Sequence, residues 1–249
     1  FEKALGEAQE LGYAEADPTA DIDGSDAQAK LAILTAAGLG ESILVDSIPL
    51  RTIRSIEAVD FVYAKRLGAT IRQVSRAERN EDNQVVASVQ PMLVPTSSTL
   101  AQVGGSRNMV VVEGESGGET AFSGLGAGGL PTAVAVISDL ESIARGTSEV
   151  SGILVKNAPR EVVGEFVSPH YIRFVISDRP GIIAALAGVF SRHGVNVDSI
   201  LQEPGWSKEE LPFVMTLEAC DTASVREGLK ESELFDFHQR PPLWMPVLA

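Results

Sequence analysis

Cysteine is almost absent from this sequence, since Cys220 is the only one in 249 residues. A single thiol cannot form a disulfide within the chain, so the fold must rest on its apolar core. The three histidines, His170, His193 and His238, are scattered without the spacing of metal ligands. We therefore expect neither a disulfide framework nor a metal site, and a reducing cytoplasm is the simplest compartment.

Basic residues are also scarce: 20 lysines and arginines stand against 34 acids, for a net charge of -14. Such a charge repels phosphate backbones and anionic lipid surfaces, which argues against nucleic acid as a partner. No apolar run approaches the roughly 20 residues that cross a bilayer, so we expect no membrane span. The 44% of hydrophobic residues suffices for one or two cores.

An initiator methionine is missing as well, because the chain begins with Phe1. The opening residues, FEKALGEAQE, are charged and helix-like, which is unlike a signal peptide. We interpret this as a chain that begins inside a longer protein, with N-terminal processing as the alternative.

Residue periodicity indicates mixed helices and strands before residue 148. A polar loop rich in Asp, Pro and Gly is predicted at 12–24, and a glycine cluster at 124–129 precedes Pro131, which suits the first turn of a helix. Helices are predicted at residues 1–11, 26–39, 55–67 and 131–145. Strands are predicted at residues 70–74, 84–94, 108–112 and 119–123. A further weak strand is predicted beyond this region, at 153–155.

The last third of the chain has the order strand, helix, strand, strand, helix, strand. Its first helix carries an apolar face, which we assign to the core, and Gly194 ends that helix. The face consists of Ile182, Ile183, Leu186 and Phe190. The order predicts a ferredoxin-like βαββαβ sandwich. The fold class is therefore α+β, with a mixed sheet and helices (1–148), a linker (149–167) and the sandwich (168–249).

The polar loop and the helix after it gather the residues most suited to chemistry. Asp26 and Lys30 are four apart, so they share a helix face and can act at one site. There Lys30 can hold an ammonium beside a reacting oxygen, and Glu15 can bind a substrate amino group. The structural alternative is an exposed helix start with an ordinary ion pair.

The pattern of the whole segment, AQELGYAEADPTADIDGSDAQAK at 8–30, resembles homoserine dehydrogenases. The resemblance implies NAD(P)-dependent interconversion of L-homoserine and L-aspartate 4-semialdehyde, a step toward threonine, methionine and isoleucine. By matched position, Lys30 is the proton donor and acceptor, with Asp26 beside it, and Glu15 binds the substrate amino group. Asp21 and Tyr13 line the same pocket.

The glycine cluster fits G-x-G-x-x-G through Gly124, Gly126 and Gly129, but too little chain follows for a doubly wound sheet. A plain glycine-rich turn is the alternative. The resemblance extends here, since GLGAGGLPTA matches the family's second glycine-rich stretch. It implies that Gly126 and Gly128 approach the nicotinamide end of the cofactor. The family's dinucleotide-binding domain is missing from the sequence, so we expect this chain alone to bind no cofactor and turn nothing over.

The segment DRPGIIAALAGVFSRHGVNVDSILQ in the last third resembles ACT domains, which sense amino acids. The resemblance implies an effector, naturally threonine, held by Asp178, Gly181 and Asn196, and edge-to-edge pairing that gives a homodimer or higher homo-oligomer. A domain that only dimerises is the alternative. For the whole chain, the rival to an enzyme is a non-enzymatic amino-acid-binding and dimerisation module. Convergence of Glu15, Asp26 and Lys30 on one pocket would favour the enzyme, whereas side chains splayed into solvent would favour the module.

Overall fold

The computed structural model describes residues 1–147 and 158–248, so the predicted strand at 153–155 lies outside the described residues. The chain divides into two compact units, each built from separate segments. The first unit comprises Phe1–Arg54, Ser75–Val89 and Thr96–Val163, and the second comprises Ser55–Val74, Gln90–Pro95 and Gly164–Ala249. In the part of the chain that the structure describes, no helix is long and apolar enough to span a bilayer.

Helices and two-stranded sheets make up the first part of the chain. The helices are α1 (Glu2–Glu10), α2 (Thr19–Asp23), α3 (Ser25–Leu39), α4 (Ala58–Arg66) and α5 (Gly129–Ala144). The strands are β1 (Ala69–Arg79), β2 (Val85–Pro95), β3 (Arg107–Gly114) and β4 (Gly118–Leu125). Strands β1 and β2 pair with each other, as do β3 and β4. The α+β class is thereby confirmed, and α4 belongs to the second unit.

Helix α2 corrects the sequence prediction, which had this segment as loop. Asp17 explains how the chain turns into it, because its Oδ1 accepts hydrogen bonds from the Thr19 amide at 3.1 Å and the Thr19 hydroxyl at 2.6 Å. The carbonyl of Ile22 then accepts from the Ile53 amide at 3.1 Å. Ile22 itself is buried, so one anchored side chain stabilises a helix too short to stand alone.

The core of the first unit lies between α3 and strand β2. Leu31 packs with Ile43, Ile48 and the β2 residues, and the buried Gln28 donates its Nε2 to the Ile48 carbonyl at 2.7 Å. The buried β2 residues of this cluster are Val85, Ala87 and Val89. Helix α3 therefore directs its Gln28–Leu31–Thr35 stripe inward and leaves its other faces for solvent.

The β3–β4 hairpin and helix α5 are much more exposed. The hairpin is antiparallel, with Val110 opposite Phe122, and all eight residues of β4 are exposed. None of the sixteen residues of α5 is buried, although Leu130, Ile137 and Leu140 are apolar and 83%, 64% and 60% exposed. Within the described residues, this hairpin and helix thus carry apolar surface that no buried cluster covers.

The second unit contains the four-stranded sheet predicted for the last third. Its elements are β5 (Val167–Ile176), α6 (Ile182–Arg192), β6 (Val197–Gln202), β7 (Leu211–Asp221), α7 (Thr222–Ser232) and β8 (His238–Pro246). The strand order is β6-β7-β5-β8, and each neighbouring pair is antiparallel. This is the ferredoxin-like βαββαβ arrangement that the sequence predicts.

Both faces of this sheet are covered. On one face Phe174, Leu186 and Phe190 pack with buried residues of α7. On the other face Tyr171 and Met245 pack with α4 and with Ala69, Ile71 and Leu93 of β1 and β2. The prediction that Ile183 belongs to the core is wrong, because it is 47% exposed. Ile182, Leu186 and Phe190 recur every fourth residue, and Ile183 is rotated about 100° from that stripe.

Candidate functional site

The α2–α3 junction determines where the candidate site residues lie. Gly24 ends α2 and precedes α3 with φ +91°, a left-handed conformation that disfavours other residues. The Asp23 Oδ1 accepts from the Ser25 amide at 2.9 Å, which satisfies a free N–H at the start of α3. The chain therefore reverses within a few residues and places Asp26 in the first turn of α3.

Asp26 and Lys30 form an ion pair on α3, as their spacing predicts. The Lys30 Nζ donates to the Asp26 Oδ2 at 2.6 Å, and the side chains are 60% and 42% exposed. They lie off the buried Gln28–Leu31–Thr35 stripe. The pair is therefore oriented in the described structure, and its ammonium is accessible from outside the unit.

The other predicted substrate ligands lie in separate, exposed positions before α3. Tyr13 and Glu15 follow α1 in a turn that is fixed through the backbone, where the Glu15 carbonyl accepts from the Gln9 Nε2 at 2.9 Å. Asp21 lies on α2 and is exposed, as is Glu15, and Tyr13 is 48% exposed. The structure thus joins Asp26 to Lys30 directly, while Glu15, Asp21 and Tyr13 remain open surface residues without a pocket enclosing them.

Gly126 and Gly128 lie just before α5 and differ in their surroundings and backbone conformation. A Cβ on Gly126 would meet the side-chain amide of Asn108, which is an exposed side chain that can turn away. Gly128 has φ +114° and precedes the helix, whose first amides have no intrahelical acceptor. An anionic group can come close to the backbone at Gly128, because glycine has no side chain and the first amides of the helix attract negative charge. The described residues contain no glycine-rich βαβ unit of the kind that binds dinucleotides.

The three predicted effector residues do not meet within one chain. Asp178 and Gly181 lie in the loop after β5, where Gly181 precedes α6 with φ +96°. Asn196 lies before β6, where its Nδ2 donates to the Glu218 Oε2 at 3.2 Å. Ile176 pairs with Leu211 at one end of β7, and Glu218 is seven residues further along. At about 3.3 Å per residue, these positions are on the order of 20 Å apart.

Sequence reasoning missed a buried charged cluster. The Asp60 side chain is fully buried, its Oδ1 accepts from the Arg173 Nε at 2.7 Å, and burial raises the pKa of its carboxyl despite that neighbour. The signal was an arginine inside the strand pattern Tyr-Ile-Arg-Phe-Val-Ile, because a buried arginine needs a buried acid as its partner.

The described residues contain no cluster of three His, Cys, Asp or Glu side chains able to hold a metal ion.

Comparison with known protein families gives two matches. The homoserine dehydrogenase family matches residues 1–140, and the ACT domain matches residues 170–231. The first match contains helices α1 to α4 and the residues of the Asp26–Lys30 pair. The second contains most of the four-stranded sheet and both helices that cover it.

Individual proteins agree with these matches. The homoserine dehydrogenases of Mycobacterium leprae and Bacillus subtilis are 39% and 35% identical over 82% and 94% of this chain. The chain covers 48% and 56% of their lengths, so it spans about half of these relatives. Among solved structures, a homoserine dehydrogenase from Thiobacillus denitrificans is similar over the whole chain, with TM-score 0.85, 29% identity and 58% of its own length covered. The chain belongs to the homoserine dehydrogenase family.

Proposed function

We propose that this chain supplies the substrate-binding and proton-transfer side of an NAD(P)-dependent homoserine dehydrogenase. The reaction interconverts L-homoserine and L-aspartate 4-semialdehyde, a step toward threonine, methionine and isoleucine. The observation that carries the proposal is the Asp26–Lys30 pair, which is oriented on α3 and lies inside the family match.

The chemistry assigned to the chain's own residues follows from charge. When a carbonyl is reduced, negative charge builds on its oxygen, and the Lys30 ammonium stabilises that charge and donates the proton. In the reverse direction Lys30 accepts the hydroxyl proton, while Asp26 holds its Nζ in place. Glu15 binds the substrate ammonium by a charge-assisted hydrogen bond, and Asp21 and Tyr13 line the substrate's other side.

The nicotinamide cofactor, when bound, accepts or delivers the hydride. The chain's contribution to holding it is the Gly128 backbone and the first amides of α5, with Gly126 close by. Because this is one edge of a site, we expect the chain alone to bind no NAD(P) measurably and to show no turnover. We place the protein in the cytoplasm.

The ACT domain is proposed to sense an amino-acid end product, with threonine as the first candidate. Since Asp178 and Gly181 lie on the order of 20 Å from Asn196 along the sheet, one small ligand cannot contact all three in a single chain. A second copy of the chain therefore has to supply one of the two groups of effector residues. The proposal therefore includes a homodimer or higher homo-oligomer with the effector at the interface.

The proposal is tested by joining this chain to a cofactor-binding half and measuring homoserine-dependent NADP⁺ reduction. Glu15→Gln should raise the KM for homoserine at least about tenfold, because a hydrogen bond to a charged group contributes about 1.5–3 kcal/mol. The control is Glu10→Gln at the end of α1, which should leave KM unchanged. Equal KM values in all three proteins would refute the role of Glu15.

The second candidate is a non-enzymatic amino-acid-binding and dimerisation module. The exposure of Glu15 and Lys30 is the observation that favours it. Under this alternative the joined protein binds threonine yet reduces no NADP⁺ with homoserine.

A further inference from the structure

Helix α4 makes polar contacts with the ACT sheet at both of its ends. In its first turn, the Asp60 Oδ1 accepts from the Tyr171 hydroxyl at 2.8 Å and from the Arg173 Nε at 2.7 Å, both on β5. In its second turn, the Tyr63 hydroxyl donates to the Pro212 carbonyl of β7 at 2.9 Å. The helix is thus joined to the two central strands of the sheet.

Residues at the two ends of α4 also contact the edge strands of the sheet, β8 and β6, or the residue next to them. Glu57, which precedes α4, accepts from the Arg240 Nη1 of β8 at 2.8 Å. At the other end of the helix, the Arg66 Nε lies 2.7 Å from the Oε1 of Glu203, the residue that follows β6. One helix therefore contacts every strand of the sheet or the residue next to it.

The Asp60–Arg173 pair is the buried part of these contacts. Asp60 is 0% exposed, and its Oδ2 also accepts from the Glu57 amide at 2.8 Å. Arg173 is 4% exposed and donates its Nη2 to the Ser55 carbonyl at 3.1 Å. A displaced helix would leave a buried charge without its partner, which is strongly unfavourable. Separation of α4 from β5 is therefore disfavoured.

The chain leads directly from α4 into the paired strands β1 and β2. Only Leu67 and Gly68 separate the helix from β1, which continues to Arg79 in the first unit. Strand β2 is bonded to the residues that follow β8, because the Leu248 amide donates to the Leu93 carbonyl at 2.8 Å. Since only two residues connect α4 to β1, we expect movement of α4 to reach β1.

We propose that helix α4 is the transmission element of this protein, passing changes in the ACT sheet through Asp60, Tyr171 and Arg173 to strands β1 and β2. The contacts of α4 do not depend on the proposed function. Only the identity of the signal, an amino acid bound to the ACT domain, rests on that proposal. The regulatory body is then larger than the ACT match at 170–231 and includes residues 55–74 and 90–95 of the other family match.

The first test perturbs the sheet without any ligand, using amide hydrogen exchange of the whole chain. Tyr171→Phe removes one hydrogen bond to Asp60 and should speed exchange at 75–89 about fivefold, the equivalent of one hydrogen bond. The control is Val225→Ala, which deletes buried methyl groups on the opposite face of the sheet. It should leave 75–89 unchanged. Unchanged exchange in Tyr171→Phe, or equal acceleration in both variants, overturns the proposal.

The second test adds L-threonine and compares wild type with Asp60→Asn. Heat of binding in both proteins, with altered exchange at 58–66 and 75–89 in wild type alone, supports transmission through Asp60. Binding to wild type with no change outside 164–249 overturns it. Absence of binding heat counts against the effector proposal only, and Tyr171→Phe then decides the role of α4.

Discussion

Helix α6 of the second unit and helix α5 of the first unit are similarly apolar but have opposite burial. Helix α6 buries Ile182, Leu186, Val189 and Phe190, whereas α5 buries none of its residues. The sheet is covered by its own helices on one face and by α4 with β1 and β2 on the other. The contrast teaches that an apolar pattern predicts a helix but does not predict whether another element covers its apolar face.

The largest difference should appear when a phenylalanine is truncated in each region. Phe174→Ala removes a fully buried ring and should lower the free energy of unfolding by about 3–5 kcal/mol. Phe122→Ala in β4, where the ring is 61% exposed, should change it by less than about 0.5 kcal/mol. Urea denaturation measures both, and equal losses would contradict the comparison.

A smaller difference should follow from adding a methyl group. Gly228→Ala places a Cβ 2.9 Å from the Phe190 ring, and overpacking of this kind costs about 1–3 kcal/mol. Gly124→Ala in β4 meets nothing within 4 Å and should be nearly neutral. If thermal unfolding shows Gly228→Ala as stable as Gly124→Ala, the core around α7 is looser than described.

The packed unit should also respond to pH through His238. Burial lowers the pKa of this imidazole below its ordinary 6.5, and the described structure gives its buried Nδ1 no hydrogen-bond partner. The unfolded chain therefore takes up a proton first as pH falls, so stability is lost below about pH 6.5. His238→Gln keeps a donor for the Ser232 carbonyl and should flatten unfolding free energy against pH in this range. An unchanged slope would exclude His238.

The smallest effect on stability is expected at the candidate site. Lys30→Ala breaks an exposed i, i+4 ion pair, which contributes about 0.2–0.5 kcal/mol. Its unfolding free energy should therefore match wild type within measurement. A loss above about 1 kcal/mol would mean that Lys30 supports the fold, and its surface position would need another explanation.

Local patterns predicted most elements, because periodicity and turn residues act over a few positions. The helix at Ser25–Leu39, the reversal at Gly194 and the βαββαβ order follow from such signals. Helix α2 was missed because its stability comes from Ile22 and a distant hydrogen bond from Ile53. Ile183 was misassigned because apolarity alone does not fix the buried stripe.

For the candidate site, the sequence predicts which residues share an element, whereas distances between elements come from the fold. The spacing of Asp26 and Lys30 gave their ion pair, since both lie on one helix. The separation of Asn196 from Asp178 depends on the register of β5 and β6 against β7, which pairs residues that are far apart in sequence. Asp60 and Arg173 are 113 residues apart, so only the folded chain brings them together.

The most direct test of the account is the turnover of Lys30→Ala in a protein that joins this chain to a cofactor-binding half. Loss of a proton donor should lower kcat by about 10²–10⁴-fold, while stability stays at the wild-type value. Lys3→Ala, at the exposed start of α1, should keep full activity. Near-normal turnover by the Lys30 variant would contradict the central claim that this lysine transfers the proton.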